Sequence, residues 1–299
     1  MLMLLKVLIL AIVQGAAELL PVSSSAHVIV AEKLLGLDPT RPQMTLLLVM
    51  LHTGTMFAVI FYFWNSWKRS FFSSRKIFMK SAWSIIVATF FTGVVGLFLM
   101  ELIEKAVLRT PHAQVEQIFG NMTVIGTGLA AAGLLIIASG WRGRRAPGYY
   151  PGEAAAGGAG NERQLDMKGA SLIGAVQGLC LPFRGFSRSG ATISTGLLLG
   201  VRKLPAEEFS FALAVVLTPP VIAREMWRLM AAHHLSLQGL PGSANLLMPG
   251  LLGMVFSFIS GLMALRWLSS WLERGRWHFF GIYCLAASAV VFALHAAGF

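Results

Sequence analysis

Charge is scarce in this sequence. Asp, Glu, Lys and Arg together make up 12% of its 299 residues, about half the share of an average soluble domain. Cysteine is nearly absent as well. Cys180 and Cys284 are the two present, each inside apolar sequence. That excludes a disulfide framework and leaves two lipid-buried thiols. No cleavable leader is expected either. Met1 to Val13 is apolar, but Gln14 and Glu18 follow at once and no clean small-residue cleavage site closes the run. These residues are therefore expected to stay in the mature chain.

What the sequence has instead is apolar bulk. Hydrophobic residues reach 56% before glycine is counted, against about 45–50% with glycine in a soluble domain. A soluble fold of this length could not hide them, because its own surface must still be wetted. A disordered chain, a disulfide-rich module and an ordinary cytosolic enzyme are excluded. A single integral membrane domain over residues 1–299 is left. The net charge of +11 does not change this. A nucleic-acid binder spreads its basic residues over a polar surface, whereas here they cluster at the ends of apolar runs. No nucleic-acid partner is expected.

A span needs about 20 mostly apolar residues. Six stretches qualify: Thr45–Trp64, Ala82–Met100, Phe119–Ser139, Phe209–Trp227, Leu246–Leu265 and Phe279–His295. Two more apolar regions are interrupted by polar residues. Residues 1–37 contain Gln14, Glu18, Pro21, Ser23, Ser24, Ser25 and His27. Residues 170–201 contain Gln177, Pro182, Arg184, Arg188 and a run of Gly and Ser. Each predicts two short helices around a polar kink, which membrane depth tolerates only where the kink is buried in protein or lines a wet cavity. The fold class predicted is an all-α polytopic membrane protein with about six transmembrane helices plus two re-entrant hairpins.

Lys and Arg set the orientation. The loops after the first, third and fifth spans carry Lys68, Arg69, Arg75, Lys76 and Lys80, then Arg142, Arg144, Arg145, Arg163 and Lys168, then Arg266, Arg274 and Arg276. These loops are expected in the cytoplasm, with both termini outside and residues 142–168 as a cytoplasmic linker. The first hairpin then enters from outside and the second from the cytoplasm. The hairpins also resemble each other: Gln14-Gly15 matches Gln177-Gly178, and Ser24 and Ser187 each fall ten residues later. Two similar hairpins from opposite faces make an inverted-topology repeat with its site near the bilayer midplane.

The polar residues carry the chemistry. Gln14 and Glu18 are four apart, hence on one helix face. Pro21 breaks that helix, Ser23 to Ser25 stand where a helix N-cap belongs, and His27 falls in the following turn. A capped, kinked helix would explain this in a soluble protein, but an ionisable residue inside a membrane is a functional candidate by default. In the second hairpin, Gly185, Ser187, Ser189, Gly190 and Thr192 suit an anion nest, and Arg188 supplies a guanidinium fork suited to phosphate. A carboxylate, a hydroxyl, an imidazole and an arginine are parts for phosphoryl transfer, which is mostly positioning and charge neutralisation. A flippase on the same repeat scaffold is the alternative, since it would need the arginine but not an acid/base histidine.

Gln14-Gly-Ala-Ala-Glu18 with Pro21-Val-Ser-Ser-Ser-Ala-His27 resembles the first signature of the bacterial undecaprenyl-diphosphate phosphatases of the bacitracin-resistance type. Gly185-Phe-Ser-Arg-Ser-Gly-Ala-Thr192 resembles the second. His52-Thr-Gly-Thr55, Glu208-Phe-Ser-Phe211 with Ala212-Leu-Ala-Val215, and Phe280-Gly-Ile-Tyr283 are supporting matches. The resemblance implies an inner-membrane hydrolase that takes undecaprenyl diphosphate to undecaprenyl phosphate and inorganic phosphate, recycling the lipid carrier for peptidoglycan and other envelope glycans. It implies a site open to the periplasm and a divalent cation, Mg2+ or Ca2+, with Gln14 and Glu18 as metal-site residues. It implies Glu18, Ser24, His27 and Arg188 as catalytic residues, with either Ser24 or His27 attacking. Ser23, Ser25, Gly185, Ser187, Ser189, Gly190 and Thr192 would bind substrate. Bacitracin would compete for the lipid and not for the protein, and a homodimer is left open. Two departures stand out: Gln14 replaces a glutamate common in the family, and Arg184 stands where the family usually has proline.

Overall fold

The computed structural model describes residues 2–37, 42–105, 121–145, 165–183, 185–235 and 243–297. These residues form helices and short connections: α1 (Leu2–Leu19), α2 (Ser24–Leu34), α3 (Pro42–Ser70), α4 (Arg75–Ile103), α5 (Met122–Arg145), α6 (Met167–Leu179), α7 (Arg188–Leu198), α8 (Lys203–Leu235), α9 (Ser243–Glu273) and α10 (Trp277–Ala296). Among the described residues, six segments are long and apolar enough to cross a membrane: 46–70, 75–103, 122–142, 203–224, 248–273 and 277–296. They coincide with the six expected spans, so the chain is a multi-pass membrane protein. Large apolar side chains on their outer faces, among them Phe61, Phe90, Leu97 and Met263, are exposed, as contact with lipid tails requires.

The helices overrun the spans. α3 continues through Lys68 and Arg69, and α8 continues to Leu235 across Pro219 and Pro220. Hydropathy marks the apolar stretch read from the sequence, whereas the backbone hydrogen-bond ladder carries on past it. Phe119 and Gly120, with which the third span was expected to begin, lie outside the described residues. So does most of the 142–168 linker; its first four residues are the last turn of α5, and Met167 and Lys168 open α6.

Both interrupted regions are pairs of short helices packed on each other, α1 with α2 and α6 with α7. The order of elements is two short helices and three long ones, twice over. The chain also divides into two compact units. One comprises residues 1–20, 24–65 and 214–267; the other comprises residues 21–23, 66–213 and 268–299. Within the first, α1 lies against α9. A Cβ on Gly15 would stand 2.6 Å from the Ser257 carbonyl oxygen, and the Ser260 hydroxyl donates to the Ile12 carbonyl at 2.9 Å. Within the second, α6 lies against α4 in the same manner. The first helix of each short pair thus packs on the fourth helix of the other half of the sequence.

The α4–α6 contact shows how small residues bring these helices together. α4 buries Ser84, Ala88, Thr92 and Gly96, one residue per turn. They meet Gly174 and Gly178 of α6, the small-residue seam by which membrane helices approach closely. The Thr92 hydroxyl lies 2.8 Å from the Ala88 carbonyl oxygen and 3.0 Å from that of Gly174. A Cβ on Gly174 would stand 2.2 Å from the Ala88 oxygen, whereas one on Gly93 would meet nothing within 4 Å. Gly174→Ala therefore forces the helices apart, at a cost of about 1–3 kcal/mol. It lowers the melting temperature of the detergent-solubilised protein, while Gly93→Ala leaves it unchanged or higher. Equal melting of the two variants would contradict this packing.

Candidate functional site

The first polar set is built where α1 ends. Glu18 is in the last turn of α1, followed by Pro21, which has no N–H to offer. Ser23 then takes a left-handed backbone (φ 67°), a conformation that non-glycine residues adopt at a cost of about 1–3 kcal/mol and that concentrates at functional sites. The reversal brings Ser24, the first residue of α2, back onto α1. Its hydroxyl donates to Glu18 Oε2 at 2.6 Å, the range of charge-assisted O–H···O⁻ bonds. The buried Gln14 donates from Nε2 to the same oxygen at 3.2 Å. Sequence spacing puts Gln14 and Glu18 on one helix face; the Ser24 contact comes from the reversal.

Spacing does not reveal a fourth residue. His52 of α3 brings Nε2 to 3.6 Å from the same Glu18 oxygen, and its Nδ1 lies 2.8 Å from the Leu48 carbonyl oxygen. α3 is held there by α9, whose Ser257 hydroxyl donates to the Leu51 carbonyl at 2.9 Å. One carboxylate oxygen thus has polar neighbours from α1, α2 and α3. His27 is half-buried on α2, one turn after Ser24. Ser25 is on the same turn, its side chain outside the described ones.

The second set is α7, in the other unit. Ser187 is its N-cap, its Oγ accepting from Gly190 N at 3.2 Å, and Arg188 is its first residue. Most of this short polar helix is buried, so its hydroxyls need partners. Thr192 Oγ1 donates to the Arg188 carbonyl at 2.8 Å and lies 2.5 Å from Ser210 Oγ of α8. Trp277 Nε1 of α10 lies 3.1 Å from Ser194 Oγ and 3.0 Å from Ser139 Oγ of α5. Gly185 has φ 103°, and a Cβ there would stand 2.3 Å from the Ile125 carbonyl oxygen; both facts require glycine. Thr192, Gly190 and Gly185 therefore already have duties in holding α7, while Arg188 is half-buried. Arg184 lies outside the described residues.

Among the described residues, no group of three or more His, Cys, Asp or Glu gathers as a metal cage. Glu18, with the Gln14 amide turned to it by its nitrogen, offers a single carboxylate. That suits a Mg2+-type ion held by one carboxylate, water and substrate phosphates better than an all-protein Ca2+ site. Cys180 and Cys284 are free thiols.

Fold and site together define a polytopic α-helical membrane protein that keeps its polar chemistry in two breaks between short helices. The family model described as bacitracin resistance protein BacA matches residues 7–290, and the chain belongs to that family. It is 55% identical to undecaprenyl-diphosphatase 2 of Acinetobacter baylyi, over 97% of this chain and 98% of the relative. It is 31% identical to an undecaprenyl-diphosphatase of Korarchaeum cryptofilum over the same shares, and 32% identical to one of Burkholderia thailandensis, over 93% of this chain and 92% of the relative.

Proposed function

We propose that this chain hydrolyses undecaprenyl diphosphate to undecaprenyl phosphate and inorganic phosphate. The observation that carries the reading is the Ser24–Glu18 hydrogen bond of 2.6 Å in a chain of this family. A carboxylate accepting from a hydroxyl is the geometry of an activated oxygen nucleophile. Glu18 takes the proton of the attacking oxygen, the new P–O bond forms at the terminal phosphorus, and the bridging P–O bond breaks. The electron pair leaves on undecaprenyl phosphate. Where His27 attacks in place of Ser24, its ring nitrogen forms a P–N bond instead of that P–O bond; in either case water then cleaves the phosphorylated side chain and releases phosphate. Arg188, at the N-terminus of α7, neutralises charge on the phosphoryl oxygens. Ser23, Ser25, Ser187 and Ser189 are proposed to contact the phosphates, with Gly185, Gly190 and Thr192 shaping α7 around them. A divalent cation held by Glu18 and the diphosphate oxygens would supply further charge neutralisation.

The charge pattern supports a chain whose termini and first hairpin face the periplasm, in the inner membrane, with the hairpins entering from opposite faces. Hydrolysis there recycles the glycan carrier for cell-wall synthesis, and bacitracin competes by holding the lipid. Purified protein in detergent is expected to release phosphate from a C55 or C15 polyprenyl diphosphate. EDTA is expected to arrest release, and Mg2+ or Ca2+ to restore it. No release by the wild type under any of these conditions would remove the hydrolase reading. Release indifferent to EDTA would remove the cation alone.

A further inference from the structure

The geometry points to His52 as a positioning residue for Glu18, a role that the hydrolase reading does not use and that rests on that reading. The ring's other nitrogen sets its orientation. Nδ1 lies 2.8 Å from the Leu48 carbonyl oxygen, one turn back on α3. A carbonyl can only accept, so Nδ1 carries the hydrogen. That bond fixes the ring plane and leaves a single direction for Nε2, which is toward Glu18 Oε2 at 3.6 Å. The distance is beyond a hydrogen bond, but a small movement of the carboxylate closes it. The same oxygen receives the Ser24 hydroxyl at 2.6 Å and the Gln14 amide at 3.2 Å.

Glu18 is in the last turn of α1, just before the Pro21 break and the left-handed Ser23. His52 meets it from α3, whereas Gln14 reaches it from its own helix. Two features exclude a packing role for the ring. The His52 side chain is 41% exposed, so exchanging it opens no sealed cavity. It also stands against Glu18 from α3, so its loss removes a limit from α3 on where the carboxylate can swing.

The two ring nitrogens can be tested separately. The amide of glutamine reaches where Nε2 stands, and the shorter amide of asparagine reaches where Nδ1 stands. His52→Gln keeps a polar group against Glu18 and loses the Leu48 bond; His52→Asn does the opposite; His52→Leu loses both. With a C15 diphosphate as probe, Asn and Leu are expected to lower kcat about tenfold, as a misplaced reacting group does. KM stays within about twofold, because the change falls on chemistry and not on binding. Gln keeps at least about a third of wild-type kcat. All three melt within a few degrees of the wild type in the same detergent. Equal rates for Gln and Asn, wild-type rates for Leu, or losses that follow the melting temperatures would each overturn the positioning role while leaving the hydrolase reading intact. An inactive wild type would overturn both.

Discussion

Arg188→Ala lowers hydrolysis of a polyprenyl diphosphate by about a thousandfold while the protein still folds, the scale on which an arginine at transferring phosphoryl oxygens acts. The fold should survive because α7 is secured elsewhere. Ser187 caps it through Gly190 N, Thr192 meets Ser210 of α8, Ser194 meets Trp277 of α10, and Gly190 packs on Ile136 of α5. None of those bonds uses the Arg188 side chain. Arg188→Lys restores the charge but not the planar fork that grips two oxygens at once. It is expected to recover part of the rate and to remain well below the wild type. Phosphate release measured beside thermal melting decides the matter. Near wild-type turnover in Arg188→Ala, or a loss matched by collapse of the melting transition, would withdraw Arg188 from the chemistry.

The division of labour within α7 was not legible in the sequence. Ser, Thr and Gly in a membrane helix serve equally as ligand donors and as the small, hydrogen-bonding glue between helices. A run such as Ser187-Arg188-Ser189-Gly190 with Thr192 satisfies both descriptions. Only the partners separate them: Thr192 has Ser210, and Gly185 has the Ile125 carbonyl too close for any side chain. Gln14 and Glu18 were legible together because their relation is local. A four-residue step on one helix brings them together with no knowledge of the rest of the fold. His52 stands on a different helix, and its approach to Glu18 depends on α9 binding both α1 and α3 through Ser260 and Ser257. No spacing within a single segment encodes that.

The spans were legible for a different reason. Lipid demands a continuous apolar stretch, and that demand is written residue by residue in 46–70, 75–103 and the other four. The two short-helix pairs were visible as failures of the same pattern. An apolar run interrupted by Glu18 or Arg188 has to justify a charge at membrane depth, so the scarcity of charge elsewhere is what made these residues conspicuous.

That same isolation makes the first set the sharpest target. Glu18→Gln keeps the shape of the side chain and an oxygen for Ser24 to reach, but removes the base. Turnover is expected to fall by about 10²–10⁴-fold with little change in melting. Ser24→Ala removes the other end of the 2.6 Å bond. If Ser24 is the nucleophile, its loss is at least as deep as that of Glu18→Gln. If it only orients Glu18 for attack from His27, the loss is about tenfold and no serine-linked phosphate accumulates in rapid-quench experiments. The double variant then measures whether the two act as one device. Residues joined in a single step are strongly non-additive, so Glu18→Gln with Ser24→Ala should be no slower than the slower single variant. Additive losses would mean that the hydrogen bond is incidental and that the two residues serve separate steps.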